Sequence, residues 1–277
     1  MILKNLVFLI ATLFMIACDV RKPPEDGVNQ DSIYDKTPTY DEGTSLYPAD
    51  VAKFKEVLKN KYQYPYNTTA VEYGQFDGYK TKNFYVDKNE DFYFVLNKEH
   101  NTTKRRNELR EGPESREWST SDSDGNFWIA TLKCFKPELD LQSYTWMQIH
   151  GTNTTFNYPL LRLLWVRNRA GIYDHNWAIV IISNPEEPKI YEWVDLGQRP
   201  DTFFTAAIHV QNNLMEIKIN NVVIKTYNVS YWENVKNYYK AGIYINLFED
   251  GGESVVAFRE LLFLDWADPK YVNLTHY

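Results

Sequence analysis

The sequence is poor in the residues that mark several common protein classes. Its 277 residues include 2 cysteines, Cys18 and Cys134, too few for a disulfide framework. Glycine and proline number 12 each, which excludes collagen-like and low-complexity chains. Positively charged residues are fewer than negatively charged ones: 30 Lys and Arg compare with 37 Asp and Glu, which gives a net charge of −7. That balance argues against nucleic acid as a partner, although a local basic cleft is compatible with it.

Aromatic side chains, by contrast, are abundant. The chain has 21 Tyr, 15 Phe and 8 Trp, and hydrophobic residues make up 44% of it against 24% charged residues. This composition supports a real core and favours β-strands over disorder. Tyr and Trp are also residues that stack on sugar rings.

The N-terminal residues resemble a targeting segment. Lys4 supplies a positive start, and the apolar run Leu6–Ile16 that follows is too short to span a membrane. Met15–Cys18 resembles a bacterial lipobox, which predicts a signal peptide over residues 1–17 and a lipid on Cys18. An ordinary secretory signal is the alternative. Both predict export: to the cell envelope or outer surface through a lipid anchor, the only expected membrane contact, or into the medium.

Residues 18–47 are rich in Pro, Asp, Gly, Ser and Thr, which predicts a flexible tether before one domain over residues 48–277. At the start of that domain, apolar residues at helical spacing predict a helix over residues 48–60. Cys134 is expected to be a small buried side chain.

After residue 80 the pattern is that of strands. Two aromatic-rich runs around an Asp-Lys-Asn-Glu-Asp turn predict a hairpin over Asn83–Leu96, and Asn220-Asn221 predicts a second hairpin turn. Turn residues recur about every eight to twelve residues, the rhythm of an all-β sandwich or barrel. The other predicted strands are residues 127–135, 144–150, 160–166, 178–182, 203–210, 214–219, 222–227, 241–247 and 255–263.

Three short segments carry polar residues at every second position. Alternate residues of a strand share one face, so each segment would present its polar side chains together. Gly242, inside the third segment, would leave backbone room for a ligand. The outward-facing residues are Arg106, Glu108 and Arg110 in the first segment, Gln148 and His150 in the second, and Lys240 and Tyr244 in the third.

These segments resemble the three conserved blocks of polysaccharide lyase family 7, the alginate lyases. The blocks read RNELRE from Arg106, QIH from Gln148 and YYKAGIY from Tyr238, and they stand in the family's order. The PLLR run that ends at Arg162 is also similar. Tyr239, Asn246 and the segment before residue 80 depart from the family's pattern. The resemblance implies a β-jelly roll, a sandwich of two curved antiparallel sheets with a concave substrate groove.

The resemblance also implies a β-elimination. A uronate residue loses its C5 proton and expels the glycosidic oxygen from C4, which needs the carboxylate neutralised, a base and an acid. Arg106, Gln148 and Arg110 would neutralise the carboxylate. No cofactor and no metal is required.

Two residues are expected to move the protons. Tyr244 would protonate the leaving oxygen and can also serve as the base, with Arg106 and Lys240 lowering the pKa of its phenol. His150 would be the base where the C5 proton lies on the opposite face of the sugar. Glu108 is expected to orient Arg106 or Arg110, and Lys240 to contact the substrate.

The partner is thus expected to be an anionic polysaccharide, bound by a monomer. Ile between Gln148 and His150 is associated in the family with guluronate-containing alginate. Another polyuronate such as glucuronan is an alternative substrate, and a noncatalytic carbohydrate-binding jelly roll is an alternative function that needs no acid-base pair. Aromatic candidates for the groove walls are Trp146, Trp165, Trp177 and Tyr173.

Overall fold

The computed structural model describes residue 35 and residues 38–66, 68–103, 105–112, 116–138, 140–152, 158–186 and 190–265. The predicted signal peptide and Cys18 lie outside these residues. In the described part of the chain no helix is long and apolar enough to cross a membrane.

In the described residues, fifteen strands form two antiparallel sheets that pack face to face, which confirms the predicted all-β sandwich. The eight-stranded sheet has the order β10-β9-β8-β7-β14-β5-β1-β2, and the seven-stranded sheet β13-β12-β11-β6-β15-β4-β3. The strands are β1 Lys61–Gln63, β2 Thr69–Val71, β3 Phe84–Val86, β4 Phe92–Lys98, β5 Arg105–Arg110, β6 Asn126–Cys134, β7 Ser143–Thr152, β8 Pro159–Arg169, β9 Ile172–Ile181, β10 Tyr191–Gln198, β11 Phe204–Gln211, β12 Leu214–Ile219, β13 Val222–Asn228, β14 Lys236–Ile245 and β15 Gly252–Asp265.

Side-chain alternation explains how the sheets face each other. Strand β11 alternates between buried and part-exposed residues along its whole length, so one face enters the core and the other meets solvent. Strand β14 is buried at nearly every position. The side chains on its inner face pack in the core. Those on its outer face lie beneath other side chains, so at this strand the outer face of the eight-stranded sheet is buried as well.

Two of the predicted groove residues belong to the core instead. Trp146 and Trp165 are both 0% exposed and pack between the sheets. The aromatic content of the sequence could not distinguish these positions from surface ones, because a core this size needs large side chains. Trp177 lies in a separate apolar cluster, and Tyr173 is exposed. Cys134 is buried, as expected.

The predicted helix over residues 48–60 is wrong in type. Three short 3-10 helices occupy this segment, at Pro48–Asp50, Ala52–Phe54 and Val57–Lys59. Buried apolar residues recur there at intervals of three, and that interval matches the three residues per turn of a 3-10 helix. The extended backbone of Val51 separates the first helix from the second.

The last residues of the predicted tether contact the domain. Tyr40 packs edge-on against Tyr85 with ring centroids 5.0 Å apart, on the outer face of the seven-stranded sheet. Upstream, the Asp35 carboxylate forms an ion pair with Arg199 at 3.1 Å. Part of the segment 18–47, which composition predicts to be a flexible tether, therefore packs against the domain.

Gly242 is required by the neighbouring strand. Its φ is +134°, and a Cβ built there would lie 2.2 Å from the carbonyl oxygen of Asn107 and 2.9 Å from the Cα of Glu108. The pairing of β14 with β7 shifts register at the same point, between Ala241 and Tyr244. The sequence-based explanation, that this glycine makes room for a ligand, is thus wrong: the room is taken by β5.

We expect Gly242→Ala to lower the free energy of unfolding by more than about 3 kcal/mol, because a strained φ and a backbone clash add together. Gly74→Ala is the matched control: its φ is +72° and nothing lies within 4 Å of the added methyl group. That control should cost about 1 kcal/mol. Urea unfolding measures both, and equal losses would contradict the assigned clash.

Candidate active site

The three polar segments meet on the outer face of the eight-stranded sheet. Strand β14 lies between β5 and β7, so that Lys240 is the backbone partner of both Arg110 and Gln148. Intervening residues such as Leu109 and Ile149 are fully buried in the core. We call the outward-facing group the polar cluster. Its members are Arg106, Glu108, Arg110, Gln148, His150, Tyr238, Lys240 and Tyr244.

Glu108 lies at the centre of the cluster and is 1% exposed. Its carboxylate accepts a 2.6 Å hydrogen bond from Nε2 of Gln148. It also lies 3.4 Å from Arg106 and 3.7 Å from Nζ of Lys240. The carboxylate thus has one hydrogen bond and two ion pairs with side chains from three strands, and of the two arginines proposed for it, it pairs with Arg106. Arg110 lies 3.9 Å from Glu117 instead.

Lys240 is almost fully buried, and Oε1 of Gln63 accepts a 3.2 Å hydrogen bond from its ammonium group. Burial lowers the pKa of Lys240 to about 7, although the nearby Glu108 carboxylate acts in the opposite direction. An anion bound beside this ammonium group would favour its charged form.

His150 stacks on Tyr238 with ring centroids 5.4 Å apart, and the guanidinium of Arg110 lies 4.1 Å from the centre of the same tyrosine ring. Burial, with Lys240 and other cations nearby, lowers the pKa of His150 to about 3. Its Nδ1 is 3.1 Å from the carbonyl oxygen of Gly151. The neutral ring that donates there keeps Nε2 as a proton acceptor.

Tyr244 is held by two contacts. Its hydroxyl donates a 3.0 Å hydrogen bond to Oδ1 of Asn246, and the guanidinium of Arg106 lies 5.0 Å from its ring centre. Burial raises the pKa of Tyr244, and Arg106 and Arg162 offset this only in part. The expected lowering of this pKa by Arg106 and Lys240 is therefore wrong, because desolvation outweighs the cations. The resting group is a phenol.

Sequence reasoning did not assign site roles to several neighbours of this group. Tyr238 lies two residues before Lys240, so the same period-two pattern could have identified it. Arg162 on β8 is the backbone partner of Gln148 and precedes Leu164 on the outer face. Asn246 and Gln63 carry no such signal, because they reach the cluster from a loop and from a strand of three residues.

The arrangement suits an anionic ligand with a proton to transfer. Three cationic side chains, from Arg106, Arg110 and Lys240, lie near two carboxylates, from Glu108 and Glu117, and Arg162 adds a fourth cation. A neutral imidazole and a neutral phenol lie among them. No group of three or more His, Cys, Asp or Glu in the described ranges could hold a metal ion.

The chain is similar to known proteins of one family. A family profile described as alginate lyase matches residues 59–263. An alginate lyase from Photobacterium sp. is 30% identical over 221 residues, which is 67% of this chain and 73% of that protein.

Solved structures show the same fold. Alginate lyase AlyC3 matches with a TM-score of 0.70 at 22% identity, covering 83% of this chain and 99% of that one. Alginate lyase A1-II′, a member of polysaccharide lyase family 7, matches with a TM-score of 0.58 at 18% identity, covering 77% and 97%.

We expect the ring protons of His150 to show no titration by NMR between about pH 8 and about pH 5, because its pKa is lowered to about 3. Lys240→Gln removes a nearby cation and should raise the pKa of His150. Lys88→Gln, in the exposed turn between β3 and β4, should leave it unchanged. A midpoint near the ordinary histidine value in the unmodified protein would contradict the burial of this ring.

Proposed function

This chain belongs to the alginate lyase family, polysaccharide lyase family 7, and from that premise we propose that it cleaves alginate by β-elimination. The observation that carries the proposal is the polar cluster: buried cations surround a neutral imidazole and a neutral phenol on one face of a sheet. Family membership supplies the polymer, and the cluster supplies groups suited to each step of the reaction. The products would carry an unsaturated uronate at the new end.

The first requirement is to reduce the charge of the uronate carboxylate, because a neighbouring carboxylate makes the C5 proton very weakly acidic. Arg106 and Gln148 carry donor groups on the outer face of the sheet, with Arg110 on the same strand as Arg106. Gln148 donates one amide hydrogen to Glu108, and the second hydrogen of the same amide group remains for a ligand. Donors fixed in this way stabilise the enolate-like intermediate without reorganising during the reaction.

The second requirement is a base and an acid. His150 is neutral in the resting protein and so can accept the C5 proton, while the Tyr244 phenol can protonate the departing glycosidic oxygen. Each group is then already in the protonation state that its role needs. Where the C5 proton and the leaving oxygen lie on the same side of the sugar, Tyr244 would have to serve as both base and acid.

This difference supports a preference for guluronate-containing blocks. Guluronate and mannuronate differ at C5, so their C5 protons lie on opposite sides relative to the leaving oxygen. The raised pKa of Tyr244 makes its phenolate less accessible, which disfavours the route that needs it as base. Ile149 is fully buried in the core, so any effect on block choice must act through the positions of Gln148 and His150.

The complexes described for relatives concern more than one kind of alginate block. AlyC3 has a structure in complex with dimannuronate, and A1-II′ has one in complex with a GGG product. The fold therefore accommodates different uronates, and the preference proposed for this chain rests on its own His150 and Tyr244.

For its location, we propose that the protein is exported and lipid-anchored through Cys18, with secretion as the alternative. The proposal rests on the lipobox-like Met15–Cys18 sequence. Recovery of the full chain in the membrane fraction, lost in Cys18→Ser, would support the anchor. Recovery of both proteins in the medium would instead indicate an ordinary secretory signal.

We expect the purified protein to raise ultraviolet absorbance on alginate as new double bonds form, and Tyr244→Phe to remove at least about 99% of that rate, since general acid-base groups contribute about 10²-fold or more. Tyr47→Phe changes an exposed phenol just before the first 3-10 helix and should leave the rate unchanged. Binding without absorbance on alginate and glucuronan would indicate a carbohydrate-binding module, and absorbance on glucuronan alone would indicate another polyuronate lyase.

The same assay tests block preference. Polyguluronate should be cleaved faster than polymannuronate, and His150→Asn should reduce the first rate more than the second. A faster rate on polymannuronate, or an unchanged ratio in His150→Asn, would contradict the role given to His150.

A further inference from the structure

Among the residues that the structure describes, Arg162 has no carboxylate partner, unlike the other cations of the site. Arg106 and Lys240 pair with Glu108, and Arg110 lies near Glu117. Of the acidic side chains that the structure describes, none lies within ion-pair distance of Arg162. A part-buried guanidinium with no carboxylate beside it carries an uncompensated charge, so a site of this kind favours an anionic ligand.

Burial lowers the pKa of Arg162, and the phenols of Tyr244 and Tyr191 act in the opposite direction. On β8 its neighbours Leu161 and Leu163 enter the core, so Arg162 projects from the outer face. Tyr191, on the adjoining part of β10, is 44% exposed and leaves this side of the sheet open to a ligand.

The position of Arg162 relative to Tyr244 indicates which anion it meets. Arg106 on β5 lies 5.0 Å from the ring centre of Tyr244, and the charge of Arg162 on β8 lowers the pKa of the same phenol. Three strand spacings separate β5 from β8, which places their backbones about 14 Å apart. The phenol thus lies between two guanidiniums that approach it from opposite directions across the sheet.

A glycosidic oxygen is bonded to two sugar residues, and in a polyuronate each of them carries a carboxylate. If Tyr244 protonates that oxygen, as the proposed function requires, the two sugars extend to either side of the phenol. Arg106 and Gln148 serve the sugar that loses its C5 proton. We propose that Arg162 binds the carboxylate of the other sugar, across the bond that is cleaved.

This assignment makes Arg162 a specificity-determining residue. A polymer with a carboxylate on both sugars at the scissile bond would meet a cation on each side of Tyr244. A polymer with a neutral sugar at the second position would leave the Arg162 guanidinium unpaired. The site would therefore select consecutive uronates over isolated ones.

The test measures binding of guluronate and mannuronate tetramers by calorimetry, in a Tyr244→Phe background so that the ligand stays intact. Adding Arg162→Gln should weaken binding of the preferred tetramer about tenfold or more, as expected for a lost charge-assisted hydrogen bond. The dependence of affinity on salt should become shallower, because one ionic contact is lost. Arg162→Lys, which keeps the charge, should bind between the two, and Lys88→Gln should bind like the parent.

Two further results separate this inference from its alternatives. If Arg162→Gln binds as tightly as the parent but moves the pH profile of the active enzyme, Arg162 only adjusts the Tyr244 phenol and the inference is overturned. If the unmodified protein forms no unsaturated ends and binds neither tetramer, the proposed function fails as well. Activity in the unmodified protein with unchanged binding in Arg162→Gln overturns the inference alone.

Discussion

A single buried carboxylate organises the outer face of the eight-stranded sheet. Glu108 is 1% exposed, and an ionised group at such depth costs several kcal/mol unless donors surround it. Gln148 on β7 donates a hydrogen bond to it, and Arg106 on its own strand and Lys240 on β14 form ion pairs with it. The register of three neighbouring strands is therefore tied to one charge. Any ligand that competes for these donors meets groups already held in place.

The same burial sets the protonation of the two groups placed to move a proton. Desolvation disfavours an imidazolium at His150 and a phenolate at Tyr244, so both rest in their neutral forms. The cations reinforce this at His150 and oppose it at Tyr244, where they are outweighed. Cations around a phenol therefore do not by themselves produce a phenolate, because burial disfavours the ionised form of the group.

Strand periodicity made most of the fold and the membership of the polar cluster predictable. The Asn220-Asn221 turn has the positive φ values, 47° and 64°, that a tight hairpin needs. Strands β1 and β2 have three residues each, too few to show a period, and β10 is an edge strand with little buried surface. Effects of tertiary packing could not be predicted from the sequence. They decide which tryptophans fill the core, why position 242 must be glycine, and that burial raises the pKa of Tyr244.

Tyr40 and its neighbours cover the outer face of the seven-stranded sheet, the side of the sandwich that does not carry the polar cluster. The aromatic pair that fastens Tyr40 therefore lies on the face opposite the polar cluster. A long polysaccharide lying along the cluster and the packing of Tyr40 on the other sheet use separate surfaces, so neither has to give way to the other.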